Sequence, residues 1–217
     1  SACTSACGDE LGCDQCYDDV HRLAEVQADA ILVEVPHQAQ DDIVCWALRR
    51  GLDVFIGGCL ACDEKTGREI IDLATRGGRV VEVGYQRRYD PAWEAIRAIV
   101  ESGELGKPIL AVTMALWRPD PSSWYCSQQE SSGMPLTHMS YCYLNAMRWL
   151  LGQPMTVAAL AYRSKGVVAD AVAEQSCAAL IGFDGGAMLS ATASYCGPPG
   201  LQDAASRFVF EGEIGRA

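Results

Sequence analysis

The sequence has no apolar run near the roughly 18–20 residues that a membrane-spanning helix requires. Basic residues are also few, since 17 Lys and Arg stand against 28 Asp and Glu and give a net charge of −11. A chain this acidic lacks the basic face that phosphate contacts need, which argues against nucleic acid and anionic membrane surfaces as partners. The first residues show neither the basic start nor the apolar centre of a secretory signal.

Cysteine, by contrast, is abundant, with 11 residues in 217. The odd number and the lack of a secretory signal predict free thiols in a reduced, cytoplasmic protein. Two pairs, Cys13/Cys16 and Cys59/Cys62, have the C-x2-C spacing of zinc ligands, but 42 residues separate them. Zinc sites of this pattern have about 15–20 residues between the pairs. We therefore expect no metal site, and a cysteine-rich metal-binding protein remains an alternative that zinc analysis would test.

The first half of the chain alternates short apolar runs with helical patterns. These segments are strands at 30–35, 53–56 and 79–85, and helices at 38–50, 63–75 and 90–102. This alternation predicts βαβ units with a parallel sheet. The carboxyl ends of parallel strands share one edge, where ligands bind. Candidate ligand contacts therefore lie at Pro36-His37, at Gly57-Gly58-Cys59 and at residues 85–88.

The second half changes pattern after residue 106. A strand at 109–117 precedes a Pro-, Ser- and Gly-rich loop at 118–135 and a helix at 136–151, and further strands follow at 155–163, 176–183, 187–195 and 206–211. Successive strands predict an antiparallel or mixed sheet in a second, α+β domain. We divide the chain into an irregular segment (1–12), a parallel-sheet α/β domain (13–106) and a second α/β domain (107–217).

Several segments together resemble one known family. They are ADAILVEVPHQAQ at 28–40, VFIGGCLACD at 54–63, VGYQRRYDP at 83–91, SGELGKP at 102–108, GMPLTHMSYCYLNAMRWLLG at 133–152, and the tail from IGFDGG to FEGEIGR. The sequence is similar to the glucose–fructose oxidoreductase / inositol dehydrogenase family, Gfo/Idh/MocA, over about residues 12–217. GYQRRYDP followed by SGELGKP at this distance is its most specific part.

The resemblance implies a Rossmann domain followed by an α/β domain with an open sheet. It also implies NAD or NADP as cofactor, hydride transfer to or from a sugar, cyclitol or related carbonyl compound, and a homo-oligomer formed through the second sheet. The family's G-x-G-x-x-G loop, which holds the pyrophosphate, has no match in this sequence. We therefore expect a partial Rossmann-type sheet without its first βα unit, and a second domain shorter than the family's.

The family's catalytic positions carry other residues here. Its Glu-Lys-Pro motif falls on residues 57–59, so Gly58 stands at the lysine position. The family's catalytic Asp and His fall on His138 and Cys142. Asn145 matches those branches of the family that have Asn at this position. Positions 138, 142 and 145 follow the i, i+4, i+7 spacing of one helix face. We expect His138 to be the acid/base group, with Cys142 as a thiolate partner, although a polar helix position and a core thiol are the plainer interpretations.

The remaining candidates each have a structural alternative. Pro36, His37 and Gly57 are expected to contact the cofactor, with helix capping or a simple turn as the alternative. Gln86 and Arg87 suit phosphate or carboxylate contact, or a surface salt bridge. We expect Trp124 and Tyr125 to stack on a substrate, or else to anchor the loop.

Two functions of different class remain open. One is an NAD(P)-dependent oxidoreductase, and the other is a non-catalytic relative that keeps the fold without the chemistry.

Overall fold

The computed structural model describes residues 15–120, 122–127, 131, 135–162, 174–198 and 202–210.

The first part of the chain forms a three-stranded parallel sheet. Strand β1 (Ala30–Val33) leads into helix α1 (His37–Arg49), β2 (Asp53–Ile56) into α2 (Glu64–Gly77), and β3 (Val81–Val83) into a 3-10 turn at Gln86–Tyr89. The order is β1-β2-β3, with both pairs parallel. The prediction of alternating strands and helices with a parallel sheet is confirmed.

Helix boundaries in this part follow local capping chemistry. The Asp63 side chain accepts a hydrogen bond from Thr66 N at 2.8 Å and begins α2, and Gly78, with a φ of 61°, ends it. Helix α3 (Pro91–Ser102) has Asp90 as its N-cap and Pro91 at its first position, as the sequence predicts.

The second sheet has five strands. Strand β4 (Pro108–Trp117) is followed, after two helices, by β5 (Pro154–Tyr162), β6 (Ser176–Phe183), β7 (Met188–Ser194) and β8 (Gln202–Phe210). Their order in the sheet is β5-β6-β7-β4-β8. Strands β4 and β7 pair in parallel and the other pairs are antiparallel. The sheet is therefore mixed, because the chain crosses to the far edge after β4 and returns through β5 and β6.

The single helix predicted over 136–151 is wrong. The structure has a short helix α4 (Pro135–His138) and a separate helix α5 (Tyr141–Leu151). Ser140, with φ −101° and ψ 0°, lies between them and redirects the chain. As a result, residues before and after the break do not share one continuous helical face.

Each sheet has its own apolar core. Val44, Ile56 and Ile70 are fully buried between the parallel sheet and its helices. Met147 and Leu189 lie at the centre of the second core, between α5 and the mixed sheet. The opposite face of the mixed sheet exposes several large apolar side chains, namely Val112, Leu160, Tyr162, Leu180, Met188 and Val209.

Within the described residues, none of the helices combines the length and apolar character that crossing a bilayer demands.

Candidate functional site

A cavity of about 610 Å³ lies between the carboxyl edge of the parallel sheet and helix α5. The parallel-sheet side contributes His37, Cys59, Ala61, Cys62 and Tyr85. Helix α5 contributes Tyr141, Leu144, Asn145 and Arg148, which recur at i, i+3, i+4 and i+7 and so form one helix face. The volume falls within the range of small-molecule sites.

His37 is the first residue of α1 and is 4% exposed. Its Nδ1 lies 3.2 Å from the carbonyl oxygen of Ser131, and its Nε2 lies 3.9 Å from Cys59 Sγ. The indole of Trp124 packs edge-on against the imidazole, with ring centroids 5.1 Å apart. Burial lowers the pKa of His37, opposed by the Ser131 hydrogen bond and by the charge of Glu34. The imidazole is therefore neutral at pH 7.

Gln40 fixes the loop that follows β2. Its buried side-chain Nε2 donates to the carbonyl oxygens of Cys59 and Leu60 at 2.8 and 3.4 Å. Cys59 Sγ lies 3.6 Å from the carbonyl oxygen of Ala61, and burial raises the pKa of the Cys59 thiol. Cys59 thus presents a protonated thiol to the cavity at neutral pH.

A smaller cleft of about 150 Å³ adjoins the same edge of the sheet. His37 and Tyr141 line both this cleft and the larger cavity. The Tyr141 hydroxyl donates to the carbonyl oxygen of Gly57 at 3.1 Å, and burial raises the pKa of Tyr141 to about 12. The other residues lining this cleft are Val33, Glu34, Val35, Gly57, Gly58 and Trp124.

The two glycines after β2 differ in the space around them. A Cβ at Gly57 would lie 1.5 Å from Glu34 Oε2, so a side chain there requires the Glu34 carboxylate to move. A Cβ at Gly58 would lie 3.2 Å from His37 Nε2, a tight contact. His37 therefore stands directly beside the position where a residue-58 side chain would begin.

The structure brings four of the predicted site residues together, because His37, Gly57, Gly58 and Trp124 all line the smaller cleft. Pro36 is the N-cap of α1 next to them. The role assigned to each stays a prediction, since proximity alone does not identify what they bind.

The prediction that 138, 142 and 145 lie along one helix is wrong, because residue 138 ends α4 and residues 142 and 145 belong to α5. Cys142 is 4% exposed and lies on the core side of α5. Burial raises the pKa of its thiol, although the neighbouring Arg87 guanidinium opposes the rise. Asn145 does line the cavity, where its Oδ1 accepts a hydrogen bond from Arg88 Nε at 2.6 Å.

Gln86 and Arg87 do not face either cleft. Gln86 is exposed in the 3-10 turn. Arg87 donates to the Tyr143 hydroxyl at 2.5 Å and forms an ion pair with Asp90 at 3.3 Å. Arg87 therefore joins the turn to α5, which matches the salt-bridge alternative more closely than a ligand contact.

The side chains of two predicted site residues, His138 and Tyr125, lie outside the described part of the structure. Cys13 of the first C-x2-C pair also lies outside it. Over the ranges that are described, no three His, Cys, Asp or Glu side chains come close enough to hold a metal ion.

Tyr141 and Arg148 are site residues that sequence reasoning missed. Both line the cavity on the face of α5 that also carries Leu144 and Asn145. A pattern of apolar residues running through 136–151 gives no signal for the break at Ser140. Cys59 was visible after β2, but its contact with His37 depends on how close the start of α1 lies to the segment after β2.

Taken together, the fold and the two clefts define a two-part α/β protein. Its ligand-sized cavity lies where the carboxyl edge of a parallel sheet meets a helix of the second part. Residues 93–217, more than half of the chain, match the family model of the GFO/IDH/MocA C-terminal domain. The chain belongs to the Gfo/Idh/MocA family.

Known relatives are longer than this chain. It is similar to an inositol 2-dehydrogenase of Pseudomonas fluorescens, with 31% identity over 137 residues that cover 62% of this chain and 39% of that enzyme. Inositol 2-dehydrogenase 4 of Saccharopolyspora erythraea is 24% identical over 153 residues, covering 67% of this chain and 41% of that enzyme. The chain thus spans about two fifths of these curated relatives.

Solved structures share the fold over nearly the whole chain. The WlbA dehydrogenase from Bordetella pertussis, in complex with NADH and UDP-GlcNAcA, superposes with a TM-score of 0.86 at 17% identity. The superposition covers 96% of this chain and 60% of that protein.

Proposed function

We propose that this chain is an NAD(P)-dependent oxidoreductase-like protein that moves a hydride between nicotinamide and a sugar, cyclitol or related carbonyl compound. Family membership supports the reaction class. The similar curated proteins are named inositol 2-dehydrogenases, and a neighbour with the same fold was crystallised with NADH and a sugar nucleotide.

The observation that carries the proposal is the pair of adjoining clefts at the carboxyl edge of the parallel sheet. A hydride transfer needs two ligands in contact, and His37 and Tyr141 stand between the smaller cleft and the larger cavity. The larger cavity, about 610 Å³, suits a sugar-sized compound. Asn145 and Arg148 are two of the polar side chains in its wall that can bond hydroxyls.

The residues around the smaller cleft fit one end of a nicotinamide dinucleotide. Its 150 Å³ is below the usual size for a whole ligand, so only a ring-sized portion fits. Gly57 lets the Glu34 carboxylate lie against the backbone of the cleft, and His37 and Trp124 supply flat faces beside it. The bound nicotinamide would accept or donate the hydride. The sequence has no G-x-G-x-x-G loop for the pyrophosphate, so we expect weak binding.

A turnover assay tests the proposal. NAD(P)H formation is followed with myo-inositol and a panel of sugars, in the wild-type chain and in a Gly58→Lys, His138→Asp double variant. These changes restore the family's residue types, and we expect turnover to rise at least about tenfold from a measurable base. Gly185→Lys, on the β6–β7 turn, is the matched control and is expected to have no effect. A folded double variant without any turnover contradicts catalysis by this chain.

The second candidate is a non-catalytic relative, and one observation favours it. Gly58 offers no side chain, while Cys142 is buried and faces away from the cavity. The chain then keeps a ligand cavity without a complete proton-transfer set. Ligand binding without turnover in every variant identifies this function.

We further propose that two copies associate through the exposed face of the mixed sheet. Leu160, 82% exposed, lies on the same face of the sheet as the exposed Leu180 and Met188. Burying such a face favours association. Light scattering is expected to give a dimer or larger species for the wild type and a monomer for Leu160→Glu. A wild-type monomer at about 100 μM contradicts this proposal.

We retain the cytoplasm as the proposed location. Cysteines of the described residues stand outside disulfide bonds, in keeping with a reducing compartment. Among them are Cys16, Cys45, Cys59, Cys126, Cys142, Cys177 and Cys196.

A further inference from the structure

Cys59 and His37 form a thiol–imidazole pair inside the larger cavity. Cys59 Sγ lies 3.9 Å from His37 Nε2, within hydrogen-bond range for sulfur, and both residues line the cavity wall. They meet because Cys59 follows β2 and His37 follows β1, and the carboxyl ends of these paired parallel strands lie side by side. A nucleophile beside a base is the minimal arrangement for covalent catalysis.

The orientation of the imidazole places its lone pair toward the sulfur. The Ser131 carbonyl oxygen, 3.2 Å from Nδ1, can only accept a hydrogen bond. In the neutral ring, Nδ1 therefore carries the proton and Nε2 is the acceptor. The Trp124 ring, packed edge-on at 5.1 Å, restricts rotation of the imidazole. A third group thus orients the base, as in established nucleophile–base–orienter sets.

Both members of the pair are neutral at pH 7. Burial lowers the pKa of His37 and raises the pKa of the Cys59 thiol. The sulfur consequently needs a base at the moment of attack. His37 Nε2 is placed to take its proton, although the Ala61 carbonyl oxygen, 3.6 Å from Sγ, is a second acceptor in the resting state.

We propose that Cys59 is a nucleophile that adds reversibly to an aldehyde in the cavity, with His37 as its base. The S–C bond forms as the carbonyl π bond breaks. The thiol proton passes through His37 Nε2 to the carbonyl oxygen and gives a thiohemiacetal. No electrons are gained or lost, no leaving group departs and no co-reactant is needed. The step goes beyond the proposed hydride transfer and holds whether or not the chain binds a dinucleotide.

The cavity offers space for a small aldehyde next to the sulfur. It is about 610 Å³ in volume, with apolar walls from Leu136, Leu144 and Ile181 and the polar Asn145. Cys62 lines the same cavity, and its Sγ donates to the backbone carbonyl oxygen of His37 at 3.2 Å. Cys62 is therefore a matched control: a thiol of the same cavity, bonded to the backbone.

The first test uses the full chain under a phosphine reductant, without nicotinamide. Glycolaldehyde is added, a short iodoacetamide pulse follows, and each cysteine is quantified by peptide mass spectrometry. We expect glycolaldehyde to protect Cys59 in a saturable manner. His37→Gln is expected to slow Cys59 alkylation about tenfold or more, because general bases contribute about 10²–10⁴. Cys62 alkylation should change less than twofold in the same samples.

The second test does not depend on the His37 variant. Glycolaldehyde labelled with ¹³C at its carbonyl carbon is expected to give a thiohemiacetal resonance with the wild type and with Cys62→Ala, but not with Cys59→Ala. Failure of Cys59 to be protected, or a resonance that persists in Cys59→Ala, overturns the proposal. If His37→Gln does not fold, the two alanine variants decide it. Nicotinamide is absent throughout, so the result is separate from that of the dehydrogenase assay.

Discussion

The Tyr141 hydroxyl bridges the two parts of the site, and its removal tests that bridge. Tyr141 begins α5, and its hydroxyl donates to the carbonyl oxygen of Gly57, at the end of β2, at 3.1 Å. Tyr141→Phe keeps the ring and its packing but leaves the Gly57 carbonyl without this donor. A typical hydrogen bond contributes about 0.5–1.5 kcal/mol net, and an unpaired buried acceptor costs about 1–3 kcal/mol. We expect the free energy of unfolding to fall by about 1 kcal/mol.

Urea unfolding followed by tryptophan fluorescence measures this loss. With a urea dependence of about 1–3 kcal/mol per molar, the midpoint should fall by roughly 0.3–1 M. Tyr89→Phe removes a hydroxyl from a side chain that is 71% exposed and is the matched control. The free energy of unfolding of Tyr89→Phe should stay within about 0.5 kcal/mol of the wild-type value. Equal midpoints for the two variants would refute the bridging role of Tyr141.

The stability difference between the wild type and Tyr141→Phe is also expected to depend on pH. Burial raises the pKa of Tyr141 to about 12 from an ordinary value of 10.0. Between these values the unfolded chain has lost the proton and the folded chain has kept it. The Tyr141 contribution is therefore complete below pH 10 and is lost as the pH rises toward 12. The gap in unfolding free energy between wild type and Tyr141→Phe should narrow from pH 9 to 11, whereas a constant gap contradicts the burial of this hydroxyl.

Two further predictions concern the core and the first helix. Met147→Ala removes a fully buried side chain beside Leu189 and is expected to cost about 2–5 kcal/mol in urea unfolding; a loss below 1 kcal/mol would contradict the packing. Burial raises the pKa of Asp41, whose Oδ1 is buried without a partner. Asp41→Asn should therefore raise stability by a fraction of a kcal/mol at pH 7 and leave it unchanged below the ordinary pKa of 3.8, where both states bind the proton. The exposed Asp42→Asn is the control, and a gain that persists at pH 3 would contradict burial as the cause.

Local chemistry made the parallel part of the fold predictable. Asp63, Asp90 and Gly78 act through their own neighbours in sequence, so the boundaries of α2 and α3 follow from capping rules alone. The three apolar strands are equally local signals.

The site was harder to predict, because the helix that lines it begins only at Tyr141, and the residue composition around Ser140 does not indicate that the helical segment is interrupted there. Ser140 separates α4 from α5, and within α5 Tyr141 and Arg148 line the cavity while Cys142 is buried. The apolar stripe predicted over 136–151 does enter the core, where Leu136, Met147 and Leu150 are buried. It does not show which of the remaining positions line the cavity. The parallel pairing of β4 with β7 likewise joins segments about 80 residues apart, which local patterns do not encode.

Titration of the purified chain with NADH, followed by NADH fluorescence, tests the central claim most directly. The account predicts saturable but weak binding, with a Kd above about 1 μM because the glycine-rich loop is missing. Gly57→Leu, whose side chain displaces the Glu34 carboxylate and enters the smaller cleft, should weaken binding at least tenfold, and Gly185→Leu on the β6–β7 turn should not. Absence of saturable binding by the folded wild type, or the same Kd in Gly57→Leu, would contradict a nicotinamide site at this edge of the sheet.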